Sequence, residues 1–222
     1  VQFGNGGQLC DPGVNGSAHY CANQTLGETA VGNASSSNFQ AQAGGIVTDR
    51  DTYVQMIVTG ANIDLGQLTT SSTKVASGNF SVKTYLASGY QVVTAANPPT
   101  YATHSLAAMS GGASSTGTEQ FGINLVANSC PSNTPTSGAG SCSGGFGAGP
   151  VQVPDSTFSF GTVASGYNTP NVYKYNKGDV IAQSSQSSGE TDYTISYLFN
   201  ISPVTPAGTY KMTHVLVATS TF

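Results

Sequence analysis

Three carboxylates stand where glycoside chemistry would look for them. Glu119 opens an alternating segment, and Glu190 and Asp192 lie two residues apart, on one face of a strand, just after Ser187-Ser188-Gly189. Glycoside hydrolysis needs two such acids about 5–5.5 Å or 6.5–9.5 Å apart. The chain holds only three Glu and no Trp, so the commonest sugar-stacking side chain is missing, and Tyr167, Tyr173 and Tyr175 are the available substitutes. Solvated turn charges account for Glu190 and Asp192 equally well, and that is the reading taken.

Other reactive groupings are thinner still. His19, His104 and His214 are too dispersed for a metal triad, and His214 falls on the apolar face of the last alternating segment, the place of a hydrogen-bonded interior histidine. Asp49-Arg50-Asp51, Asn62 and Asp64 offer oxygens for Ca²⁺, which takes about 6–8 of them, but without the spacing of a calcium loop. Lys83 and Lys211 supply the amine for an intramolecular isopeptide with an Asn, in residue type only. The nearest approach to G-x-S-x-G, Gly140 to Gly144, has Cys142 at its centre, so the nucleophile elbow is missing. No phosphate-cradling glycine motif follows a strand. The expectation is a non-catalytic protein without a cofactor or a bound metal.

Four cysteines form two local pairs, Cys10 with Cys21 and Cys130 with Cys142, in Gly/Ser/Asn/Pro-rich surroundings. Three connectivities exist on paper, and the sequence-local one closes two short loops without any long-range assumption. Each closure would contribute ~3 kcal/mol in the chain-entropy model. Disulfides imply an oxidising, extracytoplasmic compartment; the alternative is four reduced thiols. Five N-x-S/T sequons, at Asn15, Asn23, Asn33, Asn79 and Asn200, offer glycan acceptors at such an address. The opening VQFGNGG reads as the product of leader removal.

The elements that would position these residues are strands. Of 222 residues, Gly, Ser, Thr and Asn make up 97, and only 7% are charged, against roughly 25% in an ordinary domain. Six Lys+Arg and a net charge of −4 cannot neutralise a run of phosphates, so nucleic acid is excluded as a partner. No stretch reaches the ~18 apolar residues of a spanning helix, so no membrane insertion is expected. At 38% hydrophobic, the chain still buries one core.

Residues 1–45 read as a turn-rich segment with short apolar runs around Val1, Phe3, Leu26 and Val31. From residue 46 to 222 the period-2 signal of half-buried strands recurs. It predicts strands over 53–59, 62–68, 79–86, 90–94 and 103–109, then 119–127, 157–163, 172–175 and 179–183. Two long strands, 191–201 and 210–222, close the chain, the last apolar on both faces and therefore read as buried between layers. About ten strands with frequent turns and no helical period predict an all-β, antiparallel β-sandwich, Ig-like or jelly-roll-like, with an irregular N-terminal segment. A Gly/Ser-rich loop over 128–150, pinned by its disulfide, is long enough to make contacts.

The stretch TDYTISYLFNISPVTPAGTYKMTHVLVATSTF, with its turn TPAGTY between alternating strands and an aromatic end, resembles the C-terminal hairpin of secreted bacterial pilin-like proteins, including the spore coat U type. The resemblance covers about a seventh of the chain. It implies an extracellular subunit that polymerises with copies of itself by strand addition, with Val1, Phe3 and Leu9, or Leu26 to Val31, as the donated residues and Phe222 at a contact. The physical case runs parallel. Strand edges are usually guarded by Lys, Pro or other charge, and the last two strands carry little charge. The expectation is a structural subunit of an extracellular filament, pilus or surface matrix. The alternatives are a monomeric carbohydrate-binding or adhesin module, engaging glycans or a cell surface through the three tyrosines, and a secreted glycosidase.

Overall fold

The computed structural model describes residues 8–9, 22–23, 32–35, 40–43, 53–59, 62–85, 87–153 and 161–221. Two compact units lie along the chain, Val1–Asp51 and Thr52–Phe222. In the first, β1 (Gln8–Leu9) pairs with β2 (Ala22–Asn23), and β3 (Gly32–Ser35) with β4 (Gln40–Ala43), both antiparallel. Leu9, Asn23 and Asn33 fall in these strands. Val1, Phe3, Cys10, Asn15, His19, Cys21, Leu26, Val31, Asp49, Arg50, Asp51 and Phe222 lie outside the described residues.

The second unit is a sandwich of antiparallel sheets. One sheet contains β5 (Tyr53–Thr59), β6 (Lys74–Tyr85), β10 (Ser110–Gly112), β11 (Gln120–Asn124), β12 (Val151–Val153), β14 (Tyr173–Lys174) and β16 (Glu190–Asn200). Its order is β10-β14-β11-β16-β6-β5, with β12 also on β16. The other sheet has the order β13-β15-β7-β17, from β13 (Thr162–Val163), β15 (Val180–Ser184), β7 (Gly89–Thr94) and β17 (Leu216–Thr221). A small ladder joins β8 (Thr100–Tyr101) to β9 (His104–Ser105).

Alternation makes the core. Phe80 and Val82 on β6, Phe121 and Ile123 on β11, and Tyr193 and Ile195 on β16 face Tyr90 and Val92 of β7 and Ile181 of β15, all 2% exposed or less. The Tyr90 and Tyr193 hydroxyls meet at 2.7 Å across the two sheets, and burial raises the pKa of both phenols, keeping them neutral. Gly161 lies against these hydroxyls so closely that a Cβ would collide with them.

A second, smaller core lies on the opposite face of the seven-stranded sheet. The Gly/Ser-rich loop folds back over Val75, Met109, Tyr173 and Leu198, and the Cys130–Cys142 disulfide is formed, as the sequence predicts. The loop is bonded to the sheet rather than free: Thr73 N donates to Asn133 O and Val75 N to Gly140 O, both at 3.2 Å. Gly147, at φ +73°, packs on the Ser196 hydroxyl where no side chain fits.

Three predicted strands come out differently. Residues 62–68 are irregular, because the Asp64 carboxylate accepts a hydrogen bond from Gly66 N at 2.8 Å and Gly66 adopts φ +62°, which breaks the extended run. Residues 103–109 form only β9, after a turn at Ala102, which has φ +50°. Of the final run 210–222, ladder pairing covers only Leu216–Thr221. Upstream of it, Lys211 bridges Thr100 and Val215 O accepts from Ala95 N, while the intervening partner stretch holds Pro98 and Pro99, which have no N–H to give.

The last two strands are not a hairpin. Both edges of β16 are taken, one by β6 and the other by β11 and β12, so β17 crosses to the other sheet and pairs with β7. Nor is β17 buried between layers. It is an edge strand, with Val217 43% exposed and the preceding Val215 45%.

Candidate functional site

The residues singled out for chemistry are mostly occupied in holding the fold. Glu119 accepts from His104 Nε2 at 3.0 and 3.1 Å, from Ala107 N at 3.0 Å and from the Thr205 hydroxyl at 2.5 Å. Burial by itself would raise this carboxyl, but the bonds from Thr205, His104 and Ala107 hold it below its ordinary value. It fastens the 202–206 turn to the β9 region. Glu190 and Asp192 do share a face of β16, beside β12; burial and the neighbouring Glu190 charge raise Asp192. Among the described residues no three His, Cys, Asp or Glu side chains converge on a point.

The tyrosine platform is corrected outright. Tyr167, Tyr173 and Tyr175 are 0%, 1% and 3% exposed, each turned inward by its place in the layered core. Tyr167 donates to Asp179 Oδ2 at 2.9 Å, Tyr175 to Ala96 O at 2.8 Å, and Tyr173 stacks on Phe146 beneath the Gly/Ser loop. Asn200 is corrected likewise. It is 1% exposed, and its Nδ2 donates to Ser114 Oγ at 3.1 Å and Gln120 Oε1 at 2.9 Å, which leaves no room for a glycan. Asn79 is exposed on β6.

What the sequence did not announce is an open cleft of about 980 Å³ at one margin of the sandwich. Phe80, Ile195, Tyr197 and Phe199 form its floor; Val58 and Ile63 line one wall, Tyr210, Met212, His214 and Leu216 the other. Asp64 is the only Asp, Glu, Lys or Arg among the described lining residues. Both walls are built from the alternating segments whose ladders are incomplete, 62–68 and 210–215. The flanking strands β5 and β17 are edges: among the described residues β5 pairs only with β6, and β17 only with β7. Val58, 55% exposed, turns toward a core that ends before reaching it.

His214 ties this wall to both sheets. The Tyr175 hydroxyl donates to Ala96 O, so its oxygen accepts from Thr94 at 3.1 Å. Thr94 has then spent its proton and accepts from His214 Nε2–H at 2.8 Å, which leaves Nδ1 to accept from the Tyr197 hydroxyl at 2.7 Å. One tautomer satisfies the whole chain of donors. Burial pushes the imidazole down to about 4, so it sits neutral at the cleft wall.

Chemically, strand edges beside an apolar recess are suited to extended backbone. Main-chain bonds would come from the edges, and alternate side chains would enter the recess. Two sequence signals pointed to it without naming it, the alternation of 62–68 and that of 210–216. Comparison with protein-family models, curated proteins and solved structures finds no match for this chain.

Proposed function

We propose that this protein is a non-catalytic structural subunit of an extracellular filament, pilus or surface matrix, and that it assembles with copies of itself by accepting an extended segment of a neighbouring copy into the cleft beside β5. The observation that carries the reading is the cleft itself, a recess of about 980 Å³ opening between strand edges with no pairing partner among the described residues. Water in such a recess is readily displaced by apolar side chains, at about 25 cal/mol per Å² covered. The donor is the low-charge N-terminal segment, residues 1–45, through Val1, Phe3 and Leu9 or through Leu26 to Val31. A surface with 7% charged residues adds to the case, because subunits can stack without burying unpaired ions.

The Cys130–Cys142 disulfide favours an oxidising, extracellular address. A carbohydrate-binding role loses support with the burial of its three tyrosines. Negative-stain microscopy and size-exclusion chromatography of the native protein test the reading. Regular filaments or a ladder of oligomers are expected, and discrete 22.5 kDa particles under all conditions would refute assembly.

A further inference from the structure

We infer that Asn79 is an N-glycan attachment site and that its sugar covers the outer face of the seven-stranded sheet beside the β5 edge. This goes beyond the assembly reading and does not depend on it. The sequon Asn79-Phe80-Ser81 lies in the middle of β6, where side chains alternate between faces. Phe80, 1% exposed, enters the core, so Asn79 and Ser81 both point to the outer face, and Asn79 is exposed.

The surroundings of Asn79 suit a large substituent. Its cross-strand neighbours are Thr59 on β5 and Thr194 on β16, both short and polar. Among the described residues its amide donates to no side chain or backbone group, in contrast to Asn200, whose amide is engaged and enclosed. A sugar on Asn200 would have to break the bonds to Ser114 and Gln120, whereas Asn79 is exposed and has no such bond to break among the described residues.

The same face gives the glycan something to do. Ile57, 45% exposed, stands opposite Ser81 and diagonal to Asn79, and Tyr53 pairs with Tyr85 farther along, ring centroids 5.9 Å apart. Exposed apolar side chains on a flat sheet beside an open edge invite sheet-to-sheet association. A hydrated oligosaccharide over Ile57 blocks that route, and because Asn79 and Thr59 also line the rim of the cleft, the sugar stands at one end of that recess.

The transfer is an ordinary substitution by the asparagine amide on a lipid-diphosphate-linked oligosaccharide. A bond forms between Nδ2 and the sugar C1, the bond from C1 to the phosphate oxygen breaks, the lipid diphosphate leaves, and the amide proton passes to a base of the transferase.

Intact-glycopeptide mass spectrometry of the full chain purified from its own source tests the assignment. The Asn79 peptide is expected to carry sugar and the Asn200 peptide to be bare. Exchange of Ser81 for Ala, which destroys the sequon and keeps the asparagine, is expected to remove one glycan mass without changing the thermal midpoint of the deglycosylated protein. A bare Asn79 in the native chain overturns the inference, whatever other residues carry, and so does an S81A chain whose glycan mass is unchanged.

Discussion

His214 is the residue whose protonation should be felt most. Its neighbours Tyr197, Tyr175 and Thr94 are neutral, and its single satisfied tautomer leaves no lone pair for a second proton. With the folded imidazole near 4 and an unfolded one near ~6.5, the unfolded chain takes up the proton first as pH falls. Stability contributed at this site is therefore complete above about pH 6.5 and is lost progressively toward pH 4, by at most about 3 kcal/mol. Urea unfolding across that window should show the slope, and H214Q, which keeps a donor and an acceptor but no titration, should flatten it; an unchanged slope would place the effect elsewhere. At lower pH, Glu119 and Asp179 take over. Their folded carboxyls are held below the ordinary value by their hydrogen bonds, so their contribution is present above the unfolded pKa and disappears as they protonate.

At the scale of elements, the two features that the sequence offers for contacts, weakly charged strands and a Gly/Ser-rich loop, have opposite fates. The 128–150 loop reads as a disulfide-pinned segment long enough to make contacts, and it is folded down as the cover of a second core. Asn124 and Asn128 exchange side-chain bonds of 2.7 and 2.8 Å beneath it, and Asn128 reaches Ser196 on β16 at 3.1 Å. The disulfide keeps that cover in place. Replacing Cys130 and Cys142 together by Ser should cost roughly 3 kcal/mol by loop-closure entropy, read as a lower urea midpoint, and should open residues 131–141 to limited proteolysis under native conditions. Equal protease resistance in the two proteins would mean that the hydrogen bonds alone hold the loop. The β5 and β17 edges approach each other without pairing, and neither carries the lysines or prolines that usually blunt an edge.

For the whole molecule, the question is whether a second copy completes the sandwich. Met212, half-buried on the cleft wall, sets the test: in an isolated subunit a charge placed there remains in contact with water, whereas under an inserted strand it would be buried without a partner. M212E should therefore cost the monomer only about 1–2 kcal/mol of stability, for the core contact that Met212 makes on one side, while reducing polymer mass in sedimentation at least tenfold. Unchanged polymer would show that the cleft is not the contact. On the proposed assembly, an inserted segment would close the gap that one copy leaves in its core. A recess that is a defect in one copy becomes ordinary interior once filled, and packing density is then restored.

The alternation of apolar residues was enough to read an all-β antiparallel sandwich, because a strand with one face in a core must repeat every second residue. Tyr193, Ile195, Tyr197 and Phe199 gave the central strand, and the local spacing of Cys130 and Cys142 gave their disulfide. The same alternation could not say which strands pair. Residues 191–222 looked like a hairpin, and only the occupancy of both β16 edges sends β17 to the opposite sheet. Exposure was equally out of reach: Tyr167, Tyr173 and Tyr175 sit in polar, turn-rich sequence and Asn200 near the end of a predicted strand, yet distant segments close over them. Periodicity is a property of one strand and its own face, so the chain alone determines it. Pairing, enclosure and the cleft arise from surfaces brought together across more than a hundred residues, and only the tertiary structure decides those.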